Sequence, residues 1–172
     1  GQTFHNILSR MVKQTFKELK QAKKKHINDF ALLVEEFGFS DYELITLASL
    51  VERETALPHE KKLVASVFLN RLRKGMLLQT DPTLTYTEER QGAKPTPEDR
   101  KNEKNLYNTY AHGGLPPGPI CNPGRHSLEG VVAPATSRFL YFVSKMDGTG
   151  GHHFSTNYND HKKAVRKYLQ KK

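Results

Sequence analysis

The chain has 172 residues, 36% of them apolar, a single cysteine and a net charge of +9. That length suits one domain with a real core; one cysteine excludes an internal disulfide, no apolar run approaches the roughly 20 residues that span a bilayer, and with no signal peptide the sequence reads as a soluble segment of a longer chain. The charge sits at the ends: residues 1–25 hold seven Lys/Arg and one acid, residues 162–172 hold six and none, and residues 26–161 are slightly acidic. Without a recognisable module or aromatic-basic interleaving, this excludes nucleic acid as the expected partner.

Residues 3–23 read as an amphipathic helix, with Phe4, Ile7, Leu8, Met11, Phe16 and Leu19 at three- and four-residue steps. Its basic residues form either a solvated face or a surface drawn to an anionic wall or lipid. A second helix, about 26–37, stops at Gly38. Ser40 followed by Glu43 is a capping box that starts a third helix near residue 41. Pro58 opens a fourth, about 58–74, that ends at Gly75. From Met76 to Pro134 periodicity fades, with Leu84–Thr87 as a strand candidate. Phe139–Ser144 and His152–Ser155 read as the strands of a hairpin around Asp147-Gly-Thr-Gly-Gly151. A last helix, Asp160–Gln170, should turn Val165, Tyr168 and Leu169 inward. Helices first, then loops and a small antiparallel sheet, argue for an α+β domain. Residues 1–38 read as basic connecting helices and 39–172 as the main domain.

Glu52 is the strongest candidate for chemistry. Leu44, Ile45, Ala48 and Val51 share one helical face, and Glu52 falls inside their arc, whereas Arg53 points away and Glu54 lies on the flank. A carboxyl on an apolar stripe loses hydration, so its pKa should rise, as a general acid requires. The other reading is an ion-pair partner or a cap for a neighbouring loop. On the fourth helix Asn70 and Arg71 also face inward. Arg71 must then be paired, either by anchoring an acid or carbonyl of the long loop or by touching substrate; Asp81 is its candidate partner, or a cleft acid that biases Glu52.

The irregular middle holds Gln79, Asp81, Tyr86, Tyr107, Asn108, Tyr110, Leu115, Pro116 and Asn122. Prolines fix the backbone, amides offer hydrogen bonds and tyrosines offer flat faces, which suits a groove for sugars as well as a rigid covering loop. His152 and His153, adjacent on a strand, point to opposite faces, so no metal site is expected. His153 either contacts substrate or braces the hairpin. Cys121, in a Pro/Gly-rich loop, lacks the helix N-terminus that would activate a thiolate.

Ala48-Ser-Leu-Val-Glu52-Arg-Glu-Thr55, Val64-Ala-Ser-Val-Phe-Leu-Asn-Arg-Leu72, Leu78-Gln-Thr-Asp-Pro82, Tyr107-Asn-Thr-Tyr110, Gly114-Leu-Pro-Pro-Gly-Pro-Ile120, Leu140-Tyr-Phe-Val143, Gly148 and His153-Phe-Ser155 occur in this order. Together they resemble the endolytic murein transglycosylases of the YceG-like (MltG) family, from about residue 44 to the C-terminus. The resemblance implies a lysozyme/lytic-transglycosylase-like catalytic domain that cleaves peptidoglycan glycan strands between N-acetylmuramic acid and N-acetylglucosamine, leaving 1,6-anhydro ends. It maps the family's catalytic glutamate onto Glu52 and implies no metal or organic cofactor. It implies a location on the outer face of the cytoplasmic membrane, with an upstream anchor and LysM-like part outside this chain, and cell-wall synthesis proteins as candidate partners. The insert-like Glu88–Lys104 and Cys121 depart from the family pattern in loops expected to stay clear of the acid. The rival reading is a non-catalytic peptidoglycan-binding module.

Overall fold

The computed structural model describes residues 3–87, 90 and 92–169. Glu88, which opens the insert, and Gln170, the expected end of the last helix, lie outside the described residues.

Three helices come first: α1 (Phe4–Lys25), α2 (Ile27–Phe37) and α3 (Asp41–Glu54). Helix α2 ends on Gly38 at φ 63°, the left-handed cap that glycine adopts without Cβ strain. Helix α3 opens with the capping box: Ser40 Oγ accepts from the Glu43 N–H, and the Glu43 carboxylate accepts from the Ser40 N–H. A 3₁₀ turn at Pro58–Glu60 leads into α4 (Lys61–Arg73). A second 3₁₀ turn, Asp81–Thr83, runs into turn and bend over Leu84–Thr87, where a strand was expected. Leu84 is buried there as a core plug, so its apolar character reflects packing and not a pleat. The insert contains the short α5 (Pro97–Lys101), and α6 (Arg125–Val132) follows. Strands β1 (Tyr141–Ser144) and β2 (His152–Ser155) pair antiparallel, Tyr141 opposite Ser155, and α7 (Tyr158–Leu169) closes the chain. Within α7, Ala164 is buried, Val165 and Tyr168 are half-buried, and Leu169 is exposed rather than inward.

Helices α3 and α4 form the centre. Every residue from Leu44 to Val51 is buried, so α3 has no solvent face along its middle. Sequence periodicity offered no sign of α6, an eight-residue helix inside the irregular stretch, yet it packs on α4, α3 and α1. Leu128, Val131 and Val132 fill the space between them. Gly130 permits the close approach, since a Cβ there would lie 3.1 Å from the Lys61 carbonyl carbon. Leu19 and Ala22 of α1 and Leu33 of α2 join the same core cluster as α3, α4 and α6. Arg125 clamps Glu18 of α1 with two hydrogen bonds, 2.7 and 3.0 Å. Beyond that contact the N-terminal turns of α1 expose Phe4, Ile7, Leu8, Met11 and Val12.

Truncating the centre of α6 tests its weight in the core. Leu128→Ala should cost about 2–5 kcal/mol, the usual range for a well-packed leucine, read by chemical denaturation. A loss below about 1 kcal/mol would show that α6 is peripheral.

Candidate active site

The two carboxylates at the end of α3 leave the helix in different directions and meet opposite environments. Glu52 faces the start of α6. Its Oε2 accepts from Ser127 Oγ at 2.5 Å, from Lys61 Nζ at 3.2 Å and from the Gly124 N–H at 3.3 Å. Lys61 is only 4% exposed, and its ammonium also reaches the Glu52 carbonyl oxygen at 3.4 Å. Burial alone would raise the Glu52 pKa, but the bonds from Ser127 and Lys61, the Lys61 charge and the Gly124 amide together hold it below the ordinary value. This corrects the expectation from the apolar arc. Because α3 is buried all round, position within one arc does not distinguish a dry side chain from a solvated one. The last turn of the helix is governed by what caps it. Glu52 is a charged tie between α3, α4 and α6.

Glu54, expected on the flank of the helix, meets a different environment. It lines a cleft of about 350 Å³ with Arg71, Gln79, Asp81, Tyr110, Tyr141, Tyr158 and His161. Burial raises its pKa to about 7; a hydrogen bond from Thr80 Oγ1 opposes the rise, the nearby charge of Asp81 adds to it, and Arg71 opposes it. A carboxyl still substantially protonated near neutrality, in an open cleft, can donate that proton to a bound group.

The cleft is built from the motif after α4. Arg71 donates to three backbone carbonyls, Leu140 at 2.7 Å, Leu77 at 3.1 Å and Leu78 at 2.8 Å, which fastens the chain before Gln79 to strand β1. The sequence reading offered Asp81 as the Arg71 partner; Arg100 pairs with it instead. Asn70 donates to the Ser137 and Phe139 carbonyls, both at 3.0 Å, and so holds the run into β1. Gln79 adopts φ 51°, a conformation uncommon outside glycine, and its N–H bonds the Thr109 carbonyl at 3.0 Å. Thr109 Oγ1 accepts from the Thr80 N–H at 3.0 Å. The Tyr107–Tyr110 motif thus braces the segment that flanks Glu54. On the far side, Glu60 accepts from the His152 N–H at 2.8 Å and lies 2.7 Å from His152 Nδ1, fixing the hairpin to the start of α4.

Of the expected substrate residues, Gln79, Asp81 and Tyr110 converge on this cleft. The others do not. Asn108 is fully buried: its amide donates to the carbonyls of Asp99, Arg100 and Asn102, and its Oδ1 accepts from the Tyr110 N–H, so no polar group remains for a sugar. Tyr86 and Tyr107 pack on each other with ring centres 4.9 Å apart. Leu115 and Pro116 line a separate groove with Phe37, Phe39 and Tyr42. Asn122 accepts from Thr15 of α1 at 2.7 Å. His153 packs against Tyr168 of α7, 5.8 Å between ring centres. Three cleft residues escaped the sequence reading: Tyr141, Tyr158 and His161. Tyr141 and His161 stack, ring centres 5.1 Å apart. Tyr141 sat in the quoted Leu140–Val143 motif, but the other two lie in a helix that showed only charge and periodicity. The insert also reaches the site, because α5 brings Arg100 to Asp81. Cys121 is half-buried, and burial followed by the neighbouring Glu52 charge pushes its thiol up to about 11, the reverse of activation. Among the described residues no three His, Cys, Asp or Glu side chains are grouped to hold a metal ion.

An α+β domain whose central helix ends in a cleft carboxyl, closed by a hairpin and a terminal helix, is the class of molecule this defines. The chain belongs to the YceG-like family, whose model matches residues 1–167. That match takes in α1 and α2, upstream of the motifs that carry the sequence resemblance. Two relatives carry the name endolytic murein transglycosylase. The one from Bacillus subtilis (strain 168) is 35% identical over 175 residues, covering 99% of this chain and 44% of the relative. The one from Streptococcus pneumoniae serotype 2 is 30% identical over 168 residues, covering 95% of this chain and 30% of the relative. The crystal structure of a YceG-like protein from Listeria monocytogenes superposes with a TM-score of 0.70 at 37% identity, over 82% of this chain and 44% of that one. The chain therefore spans less than half the length of these relatives.

The two glutamates should have opposite effects on stability as pH changes. Glu52, with its lowered pKa, stabilises the fold above the unfolded carboxyl range and loses that contribution as pH falls through its folded pKa. Glu52→Gln should therefore lower the melting temperature at pH 7, with the deficit shrinking toward pH 3. Glu54 binds its proton more tightly folded than unfolded, so wild-type stability declines as pH rises from about 4.5 to about 7. Glu54→Gln should lack that decline and gain on the wild type above pH 7. Equal pH dependence of the two variants would contradict the assignment.

Proposed function

We propose that this domain is the catalytic part of an endolytic peptidoglycan lytic transglycosylase, with Glu54 as its single acid-base group. The observation that carries the reading is the Glu54 carboxyl, its pKa raised to about 7, in a cleft walled by Gln79, Asp81 and Tyr110 on one side and Tyr141, Tyr158 and His161 on the other. Family membership and the printed names of the relatives support it.

Glu54 donates its proton to the oxygen of the β-1,4 bond between N-acetylmuramic acid and N-acetylglucosamine as that bond breaks. The resulting carboxylate accepts the proton of the muramoyl 6-hydroxyl while its oxygen bonds to C1, which closes the 1,6-anhydro ring. One carboxyl is protonated at the start and again at the end, and no water is consumed. This departs from the two-carboxylate pattern of ordinary glycosidases. Arg71 opposes the Glu54 pKa rise and so favours the carboxylate that must form in mid-reaction. The tyrosine faces offer stacking surfaces for sugar rings, and Gln79 offers an amide for acetamido or hydroxyl groups. In the cell the domain works on glycan strands at the outer face of the cytoplasmic membrane, held there by parts of the protein outside this chain.

Glu54→Gln should reduce the release of 1,6-anhydro-muropeptides from purified sacculi by at least about 100-fold with the fold intact. Glu52→Gln should keep the chemistry at a temperature where it remains folded. Wild-type turnover should fall as pH rises through about 7, where the Glu54 proton is lost. Mass spectrometry of the muropeptides reads all three. A Glu54→Gln protein that still releases anhydro products at near wild-type rate would overturn the proposal.

A further inference from the structure

Glu54 faces the cleft among several charged or titratable groups: Asp81 from the 3₁₀ turn, Arg71 from α4, Tyr110 from the loop, Tyr141 from β1, and Tyr158 and His161 from α7. Arg71 is committed to the carbonyls of Leu77, Leu78 and Leu140. Asp81 is held in a different way. Tyr110 OH donates to its Oδ1 at 2.6 Å, and Arg100 Nη2 reaches both carboxylate oxygens at 3.1 and 3.2 Å. The Arg100 guanidinium also lies over the Tyr110 ring, 5.3 Å from its centre.

Arg100 stands on α5, and α5 is anchored. Thr96 and Asp99 form a capping box at its start, and the buried Asn108 amide binds the carbonyls of Asp99, Arg100 and Asn102. That explains why a fully buried asparagine sits between two tyrosines of the loop motif: it fixes the position from which Arg100 reaches Asp81. Asp81, being a like charge, favours the protonated form of Glu54, and a cation on Asp81 weakens that influence. The chemistry proposed above gives Arg100 no contact with the sugar.

We infer that Arg100 is a positioning residue for the proton donor: Tyr110 fixes Asp81 beside Glu54, and Arg100 offsets the Asp81 charge and so sets the pH at which Glu54 gives up its proton. The device is carried by the insert and is separable from the acid itself. It rests on the reading of Glu54 as the catalytic group, but its test does not need turnover.

The experiment is a carboxyl-detected NMR titration of Glu54 in the intact domain, paired with the pH profile of anhydro-muropeptide release. Asp81→Asn removes the like charge, so the Glu54 midpoint should fall by about half a pH unit or more. Arg100→Gln leaves Asp81 in place on Tyr110 with its charge uncompensated, so the midpoint should move the opposite way. Arg100→Lys should restore most of the wild-type value. In the Asp81→Asn background, Arg100→Gln should have less than half its effect, because its target is gone. The pH limb of activity should follow the same order. A merely structural Arg100 would lower the melting temperature and leave the Glu54 midpoint where it was, and that result would overturn the inference. So would shifts of the same sign in the two single variants. If Glu54→Gln proved active, the pH limb would lose its meaning and the functional reading would fail, while the NMR midpoints would still decide this inference.

Discussion

The structure depends on one buried ammonium. Lys61 opens α4 where it meets the end of α3 and the start of α6, and it is almost fully removed from water. A buried cation must be paired, and Glu52 supplies the charge while Ser127 and Gly124 complete the carboxylate's hydrogen bonds. Three helices are thereby fixed at one point by four groups from three separate segments of the chain. Gly130 lets α6 lie close enough for this to happen. Once α3 is locked by Glu52, the residue two positions on is carried away from that junction toward the cleft. Glu52 and Glu54 therefore divide the work: one holds the helix end, and the other presents a carboxyl from it.

A second constraint builds the cleft around that carboxyl. Arg71 gathers carbonyls from the Leu77–Leu78 segment and from Leu140 just before β1, so the irregular chain and the hairpin approach Glu54 from two sides. The Gln79 backbone takes a left-handed conformation to turn its side chain and the Thr80 hydroxyl into place. Strain at such a position persists only where the surroundings impose it, and here the Thr109 bonds impose it. Burial then favours the proton on Glu54, whereas the weaker burial at Glu52 is overcome by a lysine, a hydroxyl and an amide.

Much of this was legible in the sequence. The capping box at Ser40, the left-handed stop at Gly38 and the hairpin are local signals that the structure matches, except that the first strand begins at Tyr141 and not at Phe139. Parts of the cleft were also visible, since the end of α3, Gln79, Asp81 and Tyr110 all belong to segments with distinctive motifs. The different environments of Glu52 and Glu54 were not legible from periodicity, because they depend on groups such as Lys61 and Ser127, which lie 9 and 75 residues away from Glu52. A helical arc says which side chains share a face; it does not say whether that face meets a cation or a cleft. Helix α6 was hidden because eight residues give too few turns to establish a period. Asn108 misled for a related reason. An amide among tyrosines suits a sugar as well as it suits three backbone carbonyls, and only the fold shows which acceptors are close.

The most direct test of this division of labour is the structure of the Glu54→Gln variant with a bound peptidoglycan fragment that contains the scissile bond. The account predicts that the glycosidic oxygen lies within about 3.2 Å of the side chain at position 54, with the sugar rings between the Gln79–Asp81 wall and the Tyr141–Tyr158 wall, and that Glu52 remains paired with Lys61. A glycan bound with its scissile oxygen against Glu52, or in the groove of Phe37, Phe39 and Tyr42 away from the cleft, would contradict it.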